Sequence, residues 1–261
     1  MTPHDRLERS TWDLFWLPPG ARVIDRPELL AIGIDREVGY LNCVYRTRAS
    51  ASALPGLVDE VIALHGAQTS RWSVVDTVDT APIVQALERG GYQRDNVHDA
   101  RIAAVDEFVP RPAPDVEVRR IEDEQTLRDG WQVMDGAFER TTPHTDDDVQ
   151  IELEACARPD SRIHRFVAYL DGEPVGSAGL NVFPDLGIGL LWGGGTVPHA
   201  RGRGVYSALV AQRVARAKAA GIGHVGLYAR TATSSPIVER QGFARHGTMT
   251  YFTRAPKKPG G

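Results

Sequence analysis

The sequence predicts an α/β (α+β) fold in two domains, and three observations carry that prediction. Residues 187–220 read as strand, glycine-rich loop and helix: an apolar GIGLLW leads into W-G-G-G-T-V-P-H-A-R-G-R-G-V-Y, and SALVAQRVARAKAAG follows. The two halves end alike, with E-R-G-G-Y-Q-R at 88–94 and E-R-Q-G-F-A-R at 239–245. A β-rich run precedes each, Arg71–Thr77 and His224–Ala229. Between the halves, residues 106–115 (D-E-F-V-P-R-P-A-P-D) carry Pro110, Pro112 and Pro114. Proline at that density gives an extended, semi-rigid spacer.

In the first half, Tyr40–Tyr45 reads as a strand and Gly56–Leu64 as a helix, joined by R-T-R-A-S-A-S-A-L-P-G with no R-G-x-G. Strand Arg71–Thr77 and a further helical run follow. Gly91 is placed to end that run, and Tyr92 to open the next strand as a core residue. In the second half, Val116–Ile121 is a short strand, and Asp123–Phe138 and Asp147–Ala157 are amphipathic helices. Arg165–Leu170 and Pro174–Asn181 are strands joined by Asp171-Gly172, a hairpin signal. The strand ending at Val197 feeds the loop, Ser207–Ala220 continues its helix, and His224–Ala229 is a strand. A last helix and strand close the half, with Gly242 and Phe243 matching Gly91 and Tyr92. The expected domains are 1–108, a linker at 109–114, 115–254, and a disordered tail at 255–261.

The loop is built for an anion. Gly202 and Gly204 lack Cβ atoms and let backbone N–H groups approach a ligand. The helix start adds unpaired donors and the positive end of its dipole. Arg201 and Arg203 add forked donors suited to phosphate oxygens. No Gly-Lys-Ser/Thr completes an ATP or GTP loop, and no G-x-G-x-x-G completes a dinucleotide fold. The run P-H-A-R-G-R-G-V-Y resembles instead the pyrophosphate loop of the GNAT superfamily of CoA-dependent N-acyltransferases. Arg201 and Gly204 match its fixed positions and Pro198 its entry, while Tyr206 stands where the family has Gly or Ala.

That resemblance implies two GNAT-like domains, each a mixed, mostly antiparallel sheet flanked by helices, with the first degenerate and lacking a CoA loop. It implies an N-acetyltransferase using acetyl-CoA as co-substrate without a metal, and a small-molecule or peptide amine as acceptor. Backbone at Thr196 and Val197 would pair with pantetheine amides, and Arg201, Gly202, Arg203, Gly204, Val205 and Tyr206 would hold the pyrophosphate. The family's tyrosine that protonates the leaving thiolate falls on Val238. A thiol pKa near 8.5 makes unaided departure at pH 7 uphill by only about 2 kcal/mol. Tyr206 is a candidate donor, or else a tyrosine packed at a helix start. The strand Gly187–Val197 has no Glu to act as base. Glu139, His144 and Asp146, with Asp147 and Asp148, fall where GNAT acceptors enter, and the aspartates equally suit a helix N-cap. The alternative function is a GNAT-fold protein that keeps CoA or acyl-CoA but has lost transfer.

The 261 residues are 42% hydrophobic and 25% charged, with a net charge of −4. That charge argues against nucleic acid as a partner. Cys43 and Cys156 form no C-x-x-C and read as free thiols in a reducing cytoplasm. The first residues lack the apolar core of a signal peptide, and no apolar run reaches membrane-spanning length.

Overall fold

The computed structural model describes residues 1–139, 144–158 and 160–256. In chain order the first elements are α1 (Pro3–Ser10), β1 (Arg22–Arg26), β2 (Leu29–Gly33), β3 (Cys43–Thr47), α2 (Leu54–His65), β4 (Ser70–Val75), α3 (Ala81–Arg89) and β5 (Gln93–Ala104). Then come β6 (Val116–Arg120), α4 (Glu124–Phe138), α5 (Asp146–Ala157), β7 (Ile163–Leu170), β8 (Glu173–Phe183) and β9 (Ile188–Thr196). The last are α6 (Val205–Ala219), β10 (His224–Arg230), α7 (Ser234–Glu239) and β11 (Ala244–Arg254). The fold is mixed α/β, with mostly antiparallel strands flanked by helices. No helix among the described residues is long and apolar enough to cross a membrane.

The chain divides into two compact units. The first takes Met1–Ala100, Tyr228–Thr233 and the residues from His246 onward. Its strand order is β1-β2-β3-β4-β11. β3 and β4 are parallel, and β4 pairs antiparallel with β11 from Ser70↔Arg254 to Val75↔Met249. Helices α2 and α3 cover a core of Leu29, Val44, Leu54, Val61, Trp72, Leu87 and Tyr92. Each such aliphatic side chain contributes about 1.5–3 kcal/mol by leaving water. The second unit takes Arg101–Leu227 and Ser234–Arg245, and its strands run β10-β9-β8-β7-β6. Helix α4 starts on a capping box, Asp123 accepting from the Thr126 N–H at 2.8 Å. With α5 it buries Leu127, Trp131 and Val149 against Ile121 and Val167. Helix α6 turns its stripe Val205, Leu209, Val210, Val214 and Ala217 inward. A Cβ on Gly176 would meet Val205 at 2.5 Å, so that glycine lets α6 lie close on β8.

The two halves do rhyme. Gly91 and Gly242 sit at φ +81° and +87°, just past α3 and α7, and Tyr92 and Phe243 are buried behind them. The units differ from a single cut at 109–114. Residues 101–114 go with the second unit, and the last strand from His246 goes with the first, because β4 offers it six paired positions. The proline-rich stretch is held on the second unit rather than hanging between domains. The Phe108 ring meets Phe243 at 6.1 Å, and Arg111 Nη2 donates to the Arg240 carbonyl at 2.9 Å. α1, β1 and β2 were not expected: α1 starts on a Thr2/Asp5 capping box with Pro3 in its first turn, β1 is mostly exposed, and β2 is the short buried run Leu29–Gly33. Of the expected disordered tail, residues 257–261 lie outside the described residues.

Candidate functional site

Strand β9 carries three consecutive glycines, and the backbone needs them. Ser177 on β8 pairs with Gly195 and Gly179 with Trp192, so β9 has one extra residue between the two pairs. Gly193 absorbs it at φ +58°, a β-bulge with a left-handed residue. A Cβ on Gly193 would meet Met134 at 3.4 Å and one on Gly195 would meet Ala137 at 2.9 Å, both on α4. A Cβ on Gly194 would meet the Tyr206 ring at 2.9 Å, on the opposite face. The bulge is thus squeezed between α4 and α6.

Beyond the bulge, β9 has an open edge. It pairs in parallel with β10 only from Ile188 to Leu190, against His224 to Gly226. The Val197 N–H is spent on the Val175 carbonyl of β8 at 3.0 Å. By the alternation of a strand, the Thr196 backbone then faces away from β8. Its carbonyl accepts from Arg201 Nε at 3.2 Å. Of the two expected pantetheine partners, Thr196 faces the open edge and Val197 does not offer its N–H.

The loop has the geometry its glycines imply. Gly202 and Gly204 sit at φ +79° and +83°. Gly204 is the N-cap of α6, with no side chain capping the helix, so the first N–H groups from Val205 on have no side-chain acceptor. Arg201 and Arg203 are exposed, and Arg203 lies 3.9 Å from Asp171, a loose surface pair worth little. His199 approaches Glu173 at 3.1 Å. Uncapped helix donors, left-handed glycines and two exposed guanidiniums fit a pyrophosphate.

Tyr206 points inward. Burial raises its pKa, partly offset by the nearby Arg213. Arg213 itself is 1% exposed, and no sequence argument singled it out. Its signal was an arginine on the stripe Val205, Leu209, Arg213. Its Nε donates to the Leu209 carbonyl at 2.9 Å and its Nη1 to the Gly179 carbonyl at 3.3 Å. Val238 is fully buried, and its carbonyl accepts from Gln241 and Phe243.

The expected acceptor residues all lie at or against α4. His144 stacks on Trp131 at 3.8 Å with the rings 1° apart. Glu139 ends α4 in a left-handed conformation at φ 51°. Asp146 meets Arg128 at 3.3 Å, and Asp148 completes a capping box with Thr145. Those two aspartates thus serve the helix start and its neighbour.

Residues 127–243 match the acetyltransferase (GNAT) family. No curated protein matches the sequence. Among solved structures, a GCN5-related N-acetyltransferase from Kribbella flavida is 16% identical at TM-score 0.69, covering 98% of this chain and 96% of its own. One from Sphaerobacter thermophilus is 17% identical at 0.63, with 90% and 75% covered. A tandem GNAT protein from the clavulanic acid biosynthesis pathway is 12% identical at 0.56, with 97% and 89% covered. At these identities the likeness is one of fold.

Proposed function

We propose, from the match of residues 127–243 to the acetyltransferase (GNAT) family, that the chain is an N-acetyltransferase using acetyl-CoA, with its working site in the second unit. The observation that carries this is the joint placement, in that unit, of β9's open edge and the uncapped, glycine-bearing start of α6. Arg201, Arg203 and the N–H groups from Gly202 to Tyr206 would take the pyrophosphate, and Thr196 the pantetheine. The acceptor amine's nitrogen would attack the thioester carbonyl carbon. The C–N bond forms, the carbonyl oxygen takes up negative charge, and the C–S bond then breaks with its electron pair on sulfur. The amine's proton passes to water. Backbone N–H groups at the bulge would stabilise the developing oxyanion. The acceptor is a small-molecule or peptide amine. Cys43 and Cys156 are buried free thiols, as suits a reducing cytoplasm, and burial pushes their pKa up to about 12 and about 11, which keeps them unreactive.

A second reading, a CoA-binding protein without transfer, is favoured by one observation. The α4 side chains against the bulge are Met134, Ala137 and Phe138, none of them a base. Free CoA release with a broad panel of amines separates the two. Release dependent on one amine class supports the transferase, whereas saturable CoA binding with no release supports the binding protein.

A further inference from the structure

Arg213 is a full positive charge in a place that gives it no negative partner. It is 1% exposed, and no carboxylate pairs with it among the described residues. Two of its nitrogens reach carbonyls, while buried Nη2 has no hydrogen-bond partner. Burial lowers its pKa, yet a guanidinium stays charged at neutral pH. A buried, uncompensated charge is among the costliest groups a fold can hold. Arg213 Nη1 ties α6 to the Gly179 carbonyl of β8, where Leu209 and Val205 already pack, and a neutral donor could make that bond without the charge.

Its position suggests what it acts on. A Cβ on Gly194 would lie 3.5 Å from Nη2. Because Gly194 has none, the Tyr206 ring and the guanidinium both lie against the bulge backbone on this face. The Tyr206 hydroxyl is the titratable neighbour acting on it, and it is neutral at working pH. Tyr206 can hydrogen-bond the guanidinium but brings no counter-charge, so the positive charge is left beside the bulge.

We propose that Arg213 is a positioning residue for acyl transfer, its field acting through the Gly193–Gly195 bulge to favour the oxyanion and the departing thiolate where Val238 leaves no proton donor. This rests on the transferase or CoA-binding reading of the same site.

The test reads the pKa of the thiol of CoA bound to the full chain, from thiolate ultraviolet absorbance. A free thiol titrates near about 8.5. The parent should hold the bound thiol below free CoA measured alongside. Arg213→Met keeps the stem but removes the charge, and should raise the bound thiol by about one unit, a tenfold loss of thiolate at a given pH. Its CoA affinity at pH 6, where the thiol is protonated, should stay within about threefold, because the pyrophosphate contacts are untouched. Arg213→Lys should keep most of the depression. An undepressed thiol in the parent overturns the proposal even if the variants do not fold. Equal thiol pKa values in parent and Arg213→Met also overturn it and leave the CoA-site reading standing. No CoA binding at all overturns both.

Discussion

The two units each contain a parallel strand pair that separates after a few residues, and they treat the opening differently. In the first, β3 and β4 pair only at Cys43↔Arg71 and Val44↔Trp72. The protein's own side chains then take β3's groups. The Ser73 hydroxyl donates to the Val44 carbonyl at 2.6 Å, Trp12 Nε1 to the Tyr45 carbonyl at 3.2 Å, and Arg48 Nη1 to the Thr47 carbonyl at 2.9 Å. Trp72 Nε1 reaches Thr47 Oγ1 at 2.8 Å. Helix α2 then starts at Ala53 in a right-handed conformation with no glycine ahead of it. In the second unit, Arg201 alone reaches back to Thr196, and a left-handed glycine opens α6. A strand edge that its own side chains satisfy has nothing left to offer a ligand's amides, whereas one left open does.

The sharpest way to break that contrast is at the glycines. Gly204→Val forces a β-branched residue to φ +83° and drives its Cβ to 3.1 Å from Ala113. Strain of about 1–3 kcal/mol at such a position should weaken CoA binding by about 10–100-fold in calorimetry. Gly20→Val in the first unit, at φ +82° with nothing within 4 Å, bears the same backbone strain and should leave CoA affinity unchanged. Equal losses in both variants would mean that global destabilisation, not the cradle, sets affinity. The parent should titrate as one site per chain, and two equal sites would erase the contrast.

Val238→Tyr is next in size. The family's proton donor cannot simply be restored at a fully buried valine, so overpacking should cost about 1–3 kcal/mol in denaturant unfolding rather than raise turnover.

Two buried histidines sharpen the comparison further. His65 in the first unit has Nδ1 at 2.6 Å from Ser70 Oγ and Nε2 at 2.7 Å from the Ile32 carbonyl. His164 in the second has no hydrogen-bond partner at either nitrogen. His65→Leu should therefore cost about 1–3 kcal/mol, whereas His164→Leu should be neutral or stabilising, both read from urea midpoints. Burial lowers both pKa values to about 4. An unfolded histidine titrates near 6.5, so the unfolded chain binds the proton first. Stability should be complete above about pH 6.5 and fall as pH drops toward 4, and each substitution should flatten that fall. The smallest effect belongs to Arg203→Ala. Its guanidinium is exposed and screened, so CoA affinity should drop only a few-fold, more at low salt.

Much of this was legible in the chain. The loop glycines, the uncapped helix behind them and the twin Gly-aromatic endings follow from local rules, because a left-handed turn and a helix stop are set by a few neighbouring residues. The aspartates at the start of α5 were ambiguous, since a capping box and an acidic acceptor site use the same letters. Thr145 before them pairs with Asp148 in a capping box.

Sequence alone determined the fold class, the glycine-bearing loop from Arg201 to Tyr206, the lack of an R-G-x-G run in the first half, and Val238 at the position where the resemblance places a tyrosine. Only the tertiary structure decided that the last strand joins the first unit, that Tyr206 turns inward, and that Arg213 is buried beside the bulge with no carboxylate partner among the described residues. The physical reason is range. Turns, caps and hairpins are fixed by interactions a few residues apart. Strand pairing across the chain, the desolvation of a guanidinium and the occupation of an open edge depend on which distant segments the fold brings together.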